Sequence, residues 1–421
     1  MTHLATEALA AEKLALHGGP KTKTTPFGTG RRFGEEEKRL LLEVIDSDVL
    51  FYVFGTKVRQ MESLMKSMYG VRYASGCSSG TAAVHIALGA LGIEPGREVI
   101  TSSITDMGTL TGVLYQLLVP RFADIDPATY NMSPASVEKL VNRRTGAIIV
   151  VHHAGLPADI EALAAIGKKH GIPVIEDCAQ AHLTRWKGRL LGTFGDIASY
   201  SFNHFKHITT GSGGVVLTNR EDLEERVRLF VDKCYFRDGR RRNPYFLAPN
   251  YQMTELQGAV AVAQLGKVER IVRRRGELGA RLIQGLKQVP GIVPQAVPEG
   301  AEHSFFLFVV RVDPAAIPVP VAEFCKALDA EGIPCEPNKI TGGMPIYLYD
   351  VFQKQSAFPK SRLPFVSRDL GSRVSYPRGL CPVAEDAFEH TFNLGLTEFY
   401  TEADVDDMVK GVAKVAAHFR R

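Results

Sequence analysis

The sequence predicts an α/β fold: a mostly parallel central sheet with helices on both faces, followed by a smaller C-terminal α+β domain. Three observations carry this. Short β-branched runs alternate with helical patterns between Glu98 and Thr218, those helical patterns open and close with capping signals, and past Pro290 the chain becomes a sparse mixture of short elements before one last helix. Strands separated by helices are too far apart in sequence for tight hairpins, so they pair in parallel and the helices cover the sheet.

Strands are expected at residues 98–101, 121–124, 147–151, 173–177, 198–202 and 215–218. Helices are expected at 136–141 and 160–170. Ser133-Pro134 precedes the first, a capping hydroxyl and a proline suited to the first turn, and Lys168-Lys169-His170-Gly171 closes the second with basic residues and a glycine. A long helical pattern runs from Met253 through Gln264 toward Lys287, where Val289-Pro290-Gly291 and then Val297-Pro298-Glu299-Gly300 break it. Segments at 305–312 and 321–332, a Pro- and Gly-rich run to Pro382 and a last helix at 402–419 make up the smaller domain. The division is therefore 1–34 for an N-terminal segment, 35–289 for a large domain and 290–421 for a small one. Residues 1–15 are expected to be poorly ordered.

Composition bounds the function. At 421 residues the chain exceeds what one hydrophobic core supports, and 45% hydrophobic with 23% charged residues is ordinary for a globular protein. A formal charge of +4, with no basic stripe interleaved with aromatics, argues against nucleic acid as a partner. Cys77, Cys178, Cys234, Cys325, Cys335 and Cys381 include no Cys-x-x-Cys pair, which points to free thiols in a reducing compartment. Glu7 and Glu12 interrupt any signal-peptide core, and no apolar run of about 18 residues occurs. A cytoplasmic protein that does not engage membranes is expected.

Three sites carry chemistry. Ser79-Gly80-Thr81 stands directly before an apolar helix, where free backbone N–H groups and the positive dipole end favour a phosphate; capping by the hydroxyls accounts for the same residues without a ligand. Asp177 ends a buried strand and needs a partner there, either a helix N-terminus or the ring nitrogen of a cofactor, and Gln180 follows three residues later. Lys206 lies one βα unit beyond Asp177, five residues after the hydroxyl of Ser201 and ahead of the glycine-rich turn Gly211-Ser212-Gly213-Gly214. An amine that forms a Schiff base and a carboxylate that keeps a pyridine nitrogen protonated are the two groups pyridoxal phosphate chemistry requires. Both follow strand ends, where open α/β sheets bind ligands.

Taken in order along the chain, the motifs resemble the DegT-like sugar aminotransferase family of fold-type I pyridoxal phosphate enzymes. They are Gly18-Gly19-Pro20-Lys21, Phe33-Gly34-Glu35-Glu36-Glu37, the Ser79 helix start, Phe122 to Pro127, Glu176-Asp177 with Gln180-Ala181, Ser201-Phe202 with Lys206, Asn250 to Gln257, and Gln264-Leu265. The resemblance implies a seven-stranded sheet, a Schiff base at Lys206, Asp177 on the pyridine nitrogen and Gln180 near the ring oxygen. It places the phosphate on Gly80, Thr81 and Ser201, and has Asn250 reach the neighbouring subunit's phosphate, so a homodimer with shared sites is implied. Relatives with histidine in place of the lysine are dehydratases, and Lys206 argues against that branch.

The chain also departs from the family. Asp106 stands where a stacking aromatic is usual and is expected to contact the cofactor or the substrate amine, unless another residue covers that face. Ser212 replaces an acid and Gln252 an arginine. The basic loop Arg237-Asp238-Gly239-Arg240-Arg241-Arg242 reads either as a solvated charge run or, through Arg240, Arg241 and Arg242, as a clamp for an anionic substrate, with His204 a further substrate candidate. His152, His153 and His182 read as lining the cofactor cleft, and no metal is assigned. The expected activity is transfer of an amino group from glutamate or glutamine to a ketone of a sugar, nucleotide-linked or not, or of a cyclitol. The alternatives are a lyase or aromatising synthase on a related carbocycle or sugar, and a non-catalytic regulatory homologue. The segment from Leu14 to Lys21 resembles the cyclitol aminotransferase and aminohydroxybenzoate synthase branches.

Overall fold

The computed structural model describes residues 12–337 and 342–420. Its centre is a seven-stranded sheet of β1 (Tyr73–Cys77), β2 (Glu98–Ser102), β3 (Val119–Ala123), β4 (Thr145–Val151), β5 (Val174–Asp177), β6 (Ile197–Ser201) and β7 (Gly214–Thr218), in the order β1-β7-β6-β5-β4-β2-β3. Only β7 runs against its neighbours, pairing antiparallel with both β6 and β1. The mostly parallel sheet is as predicted, and each predicted strand lies within two residues of an observed one. The strand β1 was not predicted: Tyr-Ala-Ser-Gly-Cys has no β-branched run, and it forms because its backbone pairs with β7, Tyr73 opposite Thr218 through Cys77 opposite Gly214.

Alternation along the strands builds two cores. Ile148 and Val150 of β4 face a core with Leu40 and Val44 of α1 (Glu35–Asp46), Met61 and Met65 of α2 (Lys57–Tyr69) and Leu163 of α6 (Ile160–His170). Ala147 and Ile149 face the other, with Val84 and Leu88 of α3 (Gly80–Leu91), Val113 of α4 (Met107–Tyr115) and Phe230 of α7 (Glu221–Val231). The helix α3 is buried from Ala82 to Ala90, which explains its apolar circumference. Between them, α5 (Pro134–Leu140) starts two residues earlier than expected because Ser133 Oγ caps it and Pro134 fits its first turn.

The long helical pattern divides into α8 (Glu255–Leu265), whose first turn is closed by reciprocal Thr254 and Gln257 capping, and α9 (Val268–Leu286). Val268 and Ile271 of α9 pack in the large-sheet core, while Leu278, Leu282 and Leu286 pack in the C-terminal core. That C-terminal core covers an antiparallel sheet of β8 (Ile292–Pro294), β9 (Phe308–Val312), β10 (Cys335–Pro337) and β11 (Thr391–Leu394), ordered β8-β9-β11-β10. Helices α10 (Val321–Ala330) and α12 (Glu402–Phe419) contribute Phe324, Leu328, Val405 and Val412 to it, and α11 (Pro382–His390) packs beside β9. The division 1–34, 35–289 and 290–421 stands as our proposal, with α9 shared between the two cores. Of residues 1–15 only 12–15 are among those described, and Leu14 is buried in the C-terminal core. All six cysteines are buried and free. No helix among the described residues is long and apolar enough to cross a membrane.

Candidate active site

The carboxyl ends of β5 and β6 and the N-termini of α3 and α4 open into a cleft of about 1040 Å³, closed on its far side by β10, β11 and the segment around Phe306. Ser79, Gly80, Thr81, Asp106, Asp177, Gln180, Ser201 and Lys206 all stand in its walls. The fold brings them together because parallel strands end at one edge of the sheet and the helices that follow begin there.

Asp177 is the last residue of β5 and is 5% exposed. Its Oδ2 accepts a hydrogen bond from Thr109 Oγ1 at 2.8 Å and its Oδ1 from the Ala179 N–H at 3.1 Å. Burial pushes its carboxyl above the usual range, opposed by those two bonds and by the Lys206 amine. Lys206 follows β6 on a turn in which its N–H donates to the Asn203 carbonyl at 3.0 Å. Its Nζ lies 4.2 Å from the centre of the Phe306 ring. Burial pushes the amine below its ordinary value, against the attraction of Asp177 and Asp106. A lysine held this way is closer to a usable nucleophile than a solvated one.

At the other end of the cleft Ser79 caps α3, its Oγ accepting from the Ala82 N–H at 3.0 Å, so the capping reading of this hydroxyl is realised. The N–H groups of Gly80 and Thr81, in the first helical turn, lack intrahelical acceptors. Gly80 lies against Ser201: a Cβ added to it would stand 2.6 Å from Ser201 Cβ and 2.7 Å from Oγ. Gly108 is crowded in the same way by Thr81 Oγ1 and Asp106 Oδ1, at 2.8 and 2.9 Å from its ideal Cβ. Gln180, 5% exposed, uses Oε1 to accept from the Ala154 N–H at 2.7 Å, leaving its Nε2 as a donor. These residues fit a phosphorylated pyridine aldehyde: helix N–H groups and a hydroxyl for an anion, a buried carboxylate for a ring nitrogen and a buried amine for the aldehyde.

Asp106 caps α4 through Oδ1 and the Gly108 N–H at 2.7 Å, so this carboxylate is committed to a helix end while its charge acts on Lys206 and Asp177. The aromatic surface of the cleft comes instead from Phe205, which neighbours Lys206, and from Phe306, which the sequence pattern marked only as part of an apolar stretch. Thr109 carried no sequence signal either, because its role depends on α4 packing over the end of β5.

Other candidates lie elsewhere. Asn250 is exposed and bridges to Asp232, outside the cleft of its own chain. His204 is exposed beside Phe205 and does not line the cleft. Arg240 pairs with Asp238 and with Glu225, at 3.0 Å from the latter, and stacks over Phe236 at 3.7 Å; Arg241 and Arg242 are exposed on the same loop, away from the cleft walls. Gln252 donates to Asp232, and Ser212, in the cleft wall, donates to the Ser78 carbonyl at 3.0 Å.

The expectation that His152, His153 and His182 line the cleft is corrected: all three are buried and none stands in its walls, His152 and His182 serving as polar partners for neighbouring backbone and side chains while neither ring nitrogen of His153 has a hydrogen-bond partner. His182 Nε2 donates to the Ser201 carbonyl at 2.9 Å, and burial holds its ring neutral, pushed down to about 4. His152 Nδ1 accepts from the Ala158 N–H, so its Nε2 carries the proton facing Glu176 Oε2 at 3.2 Å. Glu176 also accepts from the N–H groups of Gly192, Phe194 and Gly195, each at 2.7 Å. The nitrogen, oxygen and sulfur atoms of His152, Glu176 and Cys178 that could bind a metal lie within 4.8 Å of one another, yet both ring nitrogens of His152 and both oxygens of Glu176 are already hydrogen-bonded in this loop network.

The profile of the DegT/DnrJ/EryC1/StrS aminotransferase family matches residues 31–413. The chain belongs to that family. It is 30% identical to the spore coat polysaccharide biosynthesis protein SpsC of Bacillus subtilis, over 91% of this chain and 95% of that one. It is 32% identical to a Streptoalloteichus tenebrarius protein provisionally named L-glutamine:3-amino-2,3-dideoxy-scyllo-inosose aminotransferase, over 96% of this chain and 97% of that one. Among solved structures it resembles 3-amino-5-hydroxybenzoic acid synthase and an aminotransferase from Psychrobacter cryohalolentis. Each has a TM-score of 0.81 and 26% identity, over 94% of this chain and 100% of the other. The fold is that of the fold-type I aminotransferases, and the protein is an aminotransferase.

Proposed function

We propose that the protein uses pyridoxal 5'-phosphate to move an amino group from glutamate or glutamine to a ketone of a sugar or cyclitol. The observation that carries this is the buried carboxylate of Asp177 and the desolvated amine of half-buried Lys206 in one cleft whose floor is two helix N-termini. The relatives named for an inosose and for a spore polysaccharide support the acceptor class. Bound there, the cofactor supplies an electron sink for cleavage at the donor's α-carbon.

The protein's part is orientation and proton movement. Asp177, held by Thr109 and Ala179, keeps a proton on a ring nitrogen opposite it. Gly80, Thr81 and Ser201 bind the phosphate, with Ser79 shaping the helix start and Gln180 donating to the ring oxygen. Lys206 Nζ would be the amine that holds the aldehyde, and as the free amine it would take a proton from the donor α-carbon and, as the ammonium, give it up to the cofactor carbon. Asp106 sets the local potential at Nζ.

Two chains form a homodimer with shared sites in this reading. Exposed Leu42, Ile45, Leu50 and Phe54 on and after α1, and Tyr245 and Leu247 beside Asn250, supply apolar surface for it. Asn250, His204 and Arg240 to Arg242, away from the cleft of their own chain, are candidates for the neighbour's. Six free buried thiols support a cytoplasmic setting. The likeness to 3-amino-5-hydroxybenzoic acid synthase favours one second reading, an aromatising synthase on a carbocycle.

The deciding test is glutamate or glutamine added to the cofactor-loaded protein. Stoichiometric conversion of the visible cofactor band to the aminated form, lost in Lys206→Ala with the fold retained, supports amino transfer; no conversion with any amino donor overturns it. Borohydride reduction must also place the label on the peptide containing Lys206.

A further inference from the structure

The turn that carries Lys206 is held by a residue far away in the chain. Arg32 Nη1 donates to the His204 carbonyl at 2.5 Å, while Arg32 Nη2 donates to the Lys206 carbonyl and, at 3.1 Å, to the His207 carbonyl. One planar guanidinium thus satisfies the carbonyl of Lys206 itself and those of residues on both sides of it, a fork that an ammonium cannot reproduce. The arginine is itself anchored. Its own carbonyl accepts from Gln264 Nε2 at 2.9 Å and Lys267 Nζ at 3.3 Å. Gln264 also accepts, through Oε1, from the Thr209 N–H at 3.3 Å and donates to Glu37 at 2.8 Å, and Lys267 pairs with Glu37. Gln264, Glu37 and Thr209 are all buried, so the N-terminal segment, α8 and the Lys206 turn form one hydrogen-bonded unit.

We propose that Arg32 is a positioning residue for Lys206. By fixing the peptide plane that follows the lysine Cα, together with those that begin at His204 and His207, it sends an otherwise mobile four-carbon side chain into the cleft, with Nζ on the Phe306 face. Arg32 does not line the cleft, so it acts through the turn and not on the reacting atoms. The inference rests on Lys206 being the cofactor-bonding residue.

The test uses the full-length chain as wild type, Arg32→Ala and Arg32→Lys, each saturated with pyridoxal phosphate. Borohydride labelling at Lys206, the pH midpoint of the visible cofactor band, kcat and KM for amino transfer, and melting of the cofactor-free protein are measured together. The expected result is a roughly 10- to 100-fold fall in kcat with little change in KM. It comes with a displaced pH midpoint in both variants and with partial rescue of Arg32→Ala by added guanidinium. A purely structural arginine would lower the melting temperature and leave the pH midpoint unmoved, which overturns the proposal. Should Arg32→Ala not fold, Arg32→Lys carries the same comparison. Equal labelling, midpoint and kcat in wild type and variants refutes the positioning role alone; absence of label at Lys206 in the wild type refutes the parent reading and this one with it.

Discussion

Thr109 Oγ1 donates to Asp177 Oδ2 at 2.8 Å, and the Thr109 hydroxyl is in turn 2.7 Å from Thr105 Oγ1. Two threonines of the turn and helix after β2 thereby support the carboxylate that ends β5. Because the Ala179 N–H serves the other oxygen, each oxygen of a nearly inaccessible carboxylate has one donor, an arrangement that favours the ionised form against burial.

Thr109→Val removes one of those donors at nearly constant volume. In the cofactor-free protein the change should cost about 1–3 kcal/mol, measured by chemical denaturation. In the loaded enzyme the carboxyl should titrate higher than in wild type and amino transfer should fall about tenfold. Unchanged turnover and pH profile would remove Thr109 from the site.

Lys206→Met tests the buried amine. The Lys206 pKa is pushed below 10.5, so the folded state loses its proton before the unfolded state does. The penalty of confining the cation is therefore full at pH below the lowered value and is relieved as pH rises toward 10.5. Cofactor-free Lys206→Met should accordingly melt on the order of a few degrees above wild type near neutrality, with the advantage shrinking as pH rises through that window. Amino transfer should drop by about 10³-fold or more. A melting advantage that grows with pH would contradict the assigned burial effect.

Asp106→Asn separates capping from charge. Asparagine caps a helix as well as aspartate does, so melting should stay within about 0.5 kcal/mol of wild type. The Asp106 charge raises both the Lys206 amine and the Asp177 carboxyl, and its loss lowers both. The pH–rate profile should move to lower pH on both limbs. A profile that stays in place would leave Asp106 with the helix cap only.

Gly80→Ala probes how closely α3 approaches β6. The new methyl would meet Ser201 Cβ at 2.6 Å, so one of the two elements must move, at about 1–3 kcal/mol. Because this junction is the proposed phosphate seat, cofactor affinity should fall with stability, read by titrating the visible band. Wild-type affinity in a stable variant would place the phosphate elsewhere.

Local patterns sufficed wherever a residue's role depends on its near neighbours in the chain. The β-branched runs of β2 to β7 announce strands because a half- or fully buried pleat selects them, and Ser133-Pro134 and Gly171 mark helix ends because caps act over three or four residues. Asp177, Lys206 and the Ser79-Gly80-Thr81 start were legible for the same reason: strand ends and helix starts are local, and parallel topology gathers them at one edge of the sheet. The folded chain alone revealed β1, which exists through pairing with β7, and the contacts of Thr109, Phe306 and Arg32 with residues remote in sequence. It also drew His152 and His182 behind the cleft and committed Arg240 to Asp238 and Glu225. Periodicity and spacing report which face a side chain occupies, whereas the partner it meets there depends on how separate elements pack in space.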